Sequence, residues 1–150
     1  MTIEEKKEIL NEYKNKVNKI KSLEEQKKSY IETMTTAKSQ TYDDMPKGSK
    51  KVDISDILVR LDGLINEIEQ TRFECLLYKI QIESAIVKVE NGIEADILLK
   101  KYIQFKQWPN ICCEIGYEWA QTHRIHSNAL KNINLNMIYN DINRCDNMAI

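Results

Sequence analysis

Glycine and proline are scarce in this chain, at 4 Gly and 2 Pro in 150 residues. A fold built on many tight turns needs more of both, because glycine supplies positive φ and proline presets turn geometry. Strand-like alternation is not sustained anywhere, so a many-turned β fold is argued against. An excess of one charge is also missing, since the formal net charge is −1. A strongly basic footprint for nucleic acid is therefore absent at the level of the whole chain. No apolar run approaches the roughly 20 residues that a bilayer span requires. The opening MTIEEKKEIL is too charged for a secretory signal, so a cytoplasmic protein without membrane contact is expected. The four cysteines, Cys75, Cys112, Cys113 and Cys145, show no CxxC spacing. Adjacent Cys112 and Cys113 cannot both point inward, and reduced thiols are expected. His123 and His126 lie three apart and near two of these cysteines. Zinc sites of this size use CxxC and HxxxH-type spacings, which do not occur here, so no metal is expected. There is no glycine-rich phosphate loop, no HExxH and no GxSxG. An enzyme is not expected, nor a cofactor.

What is present is helix-forming material. Hydrophobic residues make up 42% and charged residues 30%, a composition that folds. The expected class is all-α. A first helix is expected at about residues 3–38. Ile3, Leu10, Val17, Glu24 and Ile31 recur every seven residues, with Tyr13, Ile20, Lys27 and Met34 as the companion row. Residues 39–53, SQTYDDMPKGSKKVD, read as a loop punctuated by Pro46 and Gly48. A second helix is expected at about residues 54–90. Its rows are Ile54, Leu61, Ile68, Cys75, Ile82 and Val89, then Ile57, Leu64, Thr71, Tyr78 and Ala85. Leu58, Ile65 and Ile86 form a third row. Both helices would run roughly 36 residues, or about 54 Å. Matched lengths around one loop favour an antiparallel, coiled-coil-like hairpin over residues 1–91. A stripe three rows wide exceeds what one partner helix covers, so either a homodimer through the second helix or packing of the C-terminal domain is expected to cover the remainder. The homodimer is the leading expectation, with Ile65 on the leftover row.

Residues 92–150 read as a smaller helical domain. Asn91-Gly92 is a stop signal. A helix at about residues 94–104 would present Ile97, Leu98, Tyr102 and Phe105. Then comes WPNICCEIGYEWAQTHRIHSNALKNI, residues 108–133. Pro109 suits a first helical turn. Ile111 and Ile115 share a face, and Gly116 falls where a short helix must stop. Thr122, Ile125, Ala129 and Ile133 then give a second helix an inward stripe. This is a helix-turn-helix pattern, which places the start of its second helix for a DNA major groove. Behind it an Asn-rich tail keeps helical spacing at Leu135, Ile138, Tyr139 and Ile142.

Tyr102-Ile103, Trp108, Gly116-Tyr117, Arg124 with His126, and Ala129-Leu130, in this order, resemble region 4 of sigma factors. More closely, they resemble the small phage and prophage transcriptional regulators of the RinA/ArpU type. The charged first helix, the Met45-Pro46 and Lys47-Gly48 loop and the second long helix are similar to the N-terminal half of those regulators. The resemblance implies a three-helix DNA-binding unit at residues 92–150, double-stranded DNA as partner and action beside RNA polymerase. The chain departs from the pattern where those regulators usually place a Ser or Thr cap followed by basic residues. Here stand Glu118, Trp119 and Ala120.

The expected base contacts are Trp119, Ala120, Gln121, His123 and Arg124. Arg124 either donates bidentately to guanine or clamps a phosphate, which positions without specifying. Trp119 is either a core or interface aromatic or a base contact. His126 is expected to pack at the turn. Lys100, Lys101, Lys106 and Lys131 are the expected phosphate contacts. Residues 92–150 hold six basic and six acidic residues, so any DNA affinity rests on a local patch. The competing reading is a helical adaptor whose helix-turn-helix binds a protein, such as polymerase or a host factor.

Overall fold

The computed structural model describes residues 1–39 and 53–148. Among them all regular structure is helical, with no strand. The long helices are α1 (Ile3–Ser39) and α2 (Ile54–Val87). Four shorter ones follow: α3 (Gly92–Leu98), α4 (Trp108–Ile115), α5 (Trp119–Asn132) and α6 (Asn136–Met148). A π-helical turn, Leu99–Ile103, extends α3. The expected loop lies outside the described residues except at its two ends.

Short polar side chains hold the starts of α1, α2, α3 and α6, whereas α4 and α5 have no side-chain cap. Thr2 and Glu5 form a capping box on α1. The Glu5 amide donates to Thr2 Oγ1 at 3.2 Å, and the Thr2 amide donates to a Glu5 carboxylate oxygen. Asp53 Oδ1 accepts from the Ser55 amide at the start of α2. Asn91 Oδ1 accepts from the amides of Ile93 and Glu94. Asn91 is thus the N-cap of α3, and α2 has already ended at Val87. Before α6, Asn134 Oδ1 accepts from the Asn136 amide, and the Leu135 carbonyl accepts from the Tyr139 amide. Gly116 closes α4 in the left-handed region at φ 72°, as its place in the sequence predicts.

The chain forms two compact units, one of residues 17–74 and one of residues 1–16 with 75–150. In the first, Leu23 of α1 packs with Leu64 and Ile68 of α2, and Tyr30 leans on them. Arg72 pairs there with Glu24. The polar break at Glu24 therefore carries an ion pair between the helices.

In the second unit a single core gathers Ile9 and Leu10 of α1 with Tyr78, Ile82, Ile86 and Val89. It also takes in Leu98, Tyr102, Ala129, Leu130, Ile133, Leu135 and Ile138. The Tyr78 hydroxyl donates to the Ile9 carbonyl at 2.7 Å, satisfying a phenol that burial would otherwise penalise. α3 and α4 both pack on α5. Most of the expected rows on α2 point inward, but the third row divides. Ile86 is in the core, Ile65 is half-buried and Leu58 is exposed. The apolar face left uncovered in this unit is a different one, Leu76, Leu77, Ile80 and Val87.

Candidate nucleic-acid interface

The turn between α4 and α5 consists of Gly116, Tyr117 and Glu118. Glu118 is the N-cap of α5, and its side chain makes no capping bond. The departure from a Ser or Thr cap leaves first-turn amides of α5 without a side-chain partner. Thr122 turns inward instead, donating from Oγ1 to the Glu118 carbonyl at 3.0 Å. Thr122, Ala129 and Leu130 are buried and Ile125 is half-buried, so the expected inward stripe is present. Ile133 is buried too, one residue past the end of the helix.

Beneath the start of α5 lies an aromatic cluster. The His123 ring sits between Trp108, at a centroid distance of 4.3 Å, and Trp119, at 4.6 Å. Its Nε2 is enclosed without a hydrogen-bond partner. His123, expected among the base contacts, is thus held by two indoles and turns only partly to solvent. His126 is buried in the middle of α5 against Tyr102 and Trp108, not at the turn itself, with Nε2 3.0 Å from the Tyr102 hydroxyl. Burial, reinforced by His123, Lys7 and Lys101, pushes the His126 imidazole down to about 4. Burial also raises the Tyr102 phenol to about 12. Near neutrality the phenol keeps its proton and the imidazole is neutral, so the direction of this hydrogen bond follows the imidazole tautomer.

The other expected base-contact residues, Trp119, Ala120, Gln121 and Arg124, are all exposed. Trp119 is 55% exposed although one side of its ring meets His123. Gln121 and Arg124 make no side-chain bond or ion pair with any described residue. Asn128 is likewise exposed and unpartnered, and it falls on their face at the same helical spacing. The sequence signal for Asn128 is the i, i+3, i+7 progression from Gln121, weaker than a charged or aromatic side chain gives.

The expected phosphate contacts separate into two kinds. Lys100 is only 16% exposed in its side chain and bridges Asp96 and Glu114, both at 3.1 Å. Lys106 holds the same Glu114 at 2.7 Å. The two ammonium groups, Lys106 first, hold the Glu114 carboxyl below its ordinary range. Lys101 lies over the Trp108 ring, 4.8 Å from its centroid, where burial and then Lys14 lower its pKa. Lys131, in the last turn of α5, is exposed and unpaired. Of these four lysines only Lys131 is left with an unengaged charge.

Lys6, on α1, donates to the carbonyls of Leu130, Lys131 and Ile133 at 2.7–3.0 Å. These are end-of-helix acceptors, and a cation suits the negative pole of α5. No local pattern signals a partner more than a hundred residues away.

Cys75, Cys112 and Cys113 are free thiols. Among the described residues no group of three or more His, Cys, Asp or Glu side chains could hold a metal. No described helix is long and apolar enough to cross a membrane. The chain matches no family model, no curated protein and no solved structure.

Proposed function

We propose that this chain is a DNA-binding transcriptional regulator of the phage and prophage type, working in the cytoplasm as a binding protein and not as an enzyme. In this reading α4 and α5 form a sigma-region-4-like helix-turn-helix, with α3 as the third helix of the unit. α1 and α2 form the antiparallel hairpin that carries it. The observation that carries the reading is the exposed, unpartnered row Gln121, Arg124 and Asn128 on α5. Gln and Asn match adenine edges and Arg matches guanine, all in the major groove. Contacts within each compact unit support the hairpin: Ile9 meets Tyr78 in one, and Glu24 meets Arg72 in the other. RNA polymerase is the second partner that the resemblance implies.

The test is anisotropy with duplex DNA from upstream of the protein's own coding sequence, titrated with salt. Arg124→Ala is expected to cost roughly 1–3 kcal/mol and to relax preference at one position. Lys131→Ala is expected to weaken all sequences alike and to flatten the salt slope by about one unit. Few free cations on α5 imply a shallow slope overall. Absence of any DNA complex at low salt would sink the reading.

The adaptor reading is favoured by the exposure of Trp119, together with the pairing of Lys100 and Lys106 with Glu114. An exposed tryptophan on a packed base is a common interface anchor. Capture of RNA polymerase by a chain that ignores DNA, lost in Trp119→Ala, would decide for it.

A further inference from the structure

We infer that the α2 face carrying Leu76, Leu77, Ile80 and Val87, together with Met137 of α6, binds a second copy of this chain. Leu76, Leu77 and Ile80 are 54%, 47% and 49% exposed, Val87 81% and Met137 76%. The opposite side of the same stretch, Cys75, Tyr78, Ile82 and Ile86, is buried. α2 is therefore apolar on both sides here, the pattern of a helix covered all round. Each of the five exposed side chains offers roughly 100 Å² of surface, which makes the patch on the order of 500 Å² per copy. Two such patches face to face bury about 1,000 Å², the floor for a specific interface. A patch of about 500 Å² lies in the upper part of the range for the largest apolar patch on a monomer, and such patches often carry an interaction.

The patch is also self-complementary in shape. A groove between α2 and the start of α6 is lined by apolar Ile80, Leu135, Met137 and Ile138, by small Ser84 and Ala85, and by polar groups that include Lys88. Small Ser84 and Ala85 form a recess, and the larger side chains stand beside it. An antiparallel crossing of two α2 helices, centred between Ile80 and Ser84, sets each Ile80 over the other copy's Ser84. Leu77 then falls opposite Val87. Knob and recess on one patch are what a two-fold interface requires. Lys79 pairs with Glu83 along its own helix at the flank, so no uncompensated charge from that pair enters the contact.

The interface does not depend on DNA, and its test contains none. Sedimentation equilibrium of the full chain at tens of micromolar is expected to give twice the 17.6 kDa chain mass. Ile80→Glu and Val87→Glu are expected to give the monomer mass with unchanged helical circular dichroism. Both positions point away from the core, and Val87 is open enough to take a charge without unfolding. Val59→Glu, at a 72% exposed position of the other compact unit, is expected to remain a dimer. A monomeric wild type, a dimer that survives both face variants, or a dimer dissolved by Val59→Glu would overturn the inference.

Discussion

His126 shows how one residue ties the candidate interface to the core. Its imidazole is held down to about 4, chiefly by burial, against an ordinary value near 6.5. The unfolded chain therefore binds more protons than the folded one between about pH 6.5 and 4. The stability tied to neutral His126 is fully present above about 6.5 and is lost as the pH falls through that window towards 4. The loss is on the order of 3 kcal/mol. Carboxylates titrate in the same range, so the informative quantity is a difference between proteins. Urea unfolding of wild type and His126→Gln at neutral and acid pH is expected to show the smaller acid loss in the variant, whose amide can either donate to or accept from Tyr102. Equal acid losses would show that His126 carries no such linkage. Trp119 and His123 are coupled as well. Trp119→Ala uncovers one face of the His123 ring, and indole fluorescence from Trp108 is expected to change with it.

The helices are controlled mainly at their ends. Gly116 sits at φ 72°, and a Cβ added there would meet no atom within 4 Å, so Gly116→Ala brings backbone strain and no clash. The expected loss is about 1 kcal/mol. Gly116→Asn is expected to lose less, because asparagine tolerates the left-handed region. Chemical denaturation of the two variants measures the order, and an alanine variant as stable as wild type would contradict it. At the other end of α5, Lys6→Met removes the donor to three carbonyls while keeping much of the apolar stem. A charged donor of this kind is worth roughly 1.5–3 kcal/mol. Thermal melts are expected to show the loss. Lys131→Met, in the same last turn but unpaired, is expected to be near neutral.

At the scale of the molecule, the C-terminal helices depend on the long ones. Leu98, Tyr102, Leu130, Ile133 and Leu135 share a core with Ile9, Leu10, Ile82 and Ile86. A fragment of residues 92–150 would expose the first group to water and free the end of α5 from Lys6. It is expected to lack a cooperative melt by circular dichroism, whereas the whole chain has one. A sharply melting fragment would show that the short helices form a core of their own. The face of α2 proposed to bind a second copy belongs to this scale too, since it is opposite the side of the helix that the shared core buries.

Whatever local chemistry controls is legible in the amino-acid order alone. Helix starts and stops are local, because a cap or a left-handed glycine acts within a turn of its own position. Hence α1, α2, α4 and α5 lie within a few residues of where the pattern puts them. Inward stripes such as Ile111, Thr122 and Ala129 follow from helical periodicity alone. Features that depend on partners distant in the chain emerge only with the packing. Periodicity shows how wide the apolar stripe on α2 is, yet not which part stays uncovered. Ile86 went into the core, and Leu76, Leu77, Ile80 and Val87 were left outside. Charge counts find six basic residues in the last third, yet Glu114 and Asp96 engage Lys100 and Lys106, and Trp108 lies against Lys101. His123 reads as a polar residue on the outer face until two tryptophans close around its ring. In each case a side chain's environment is set by which element packs beside it, and that depends on the whole fold.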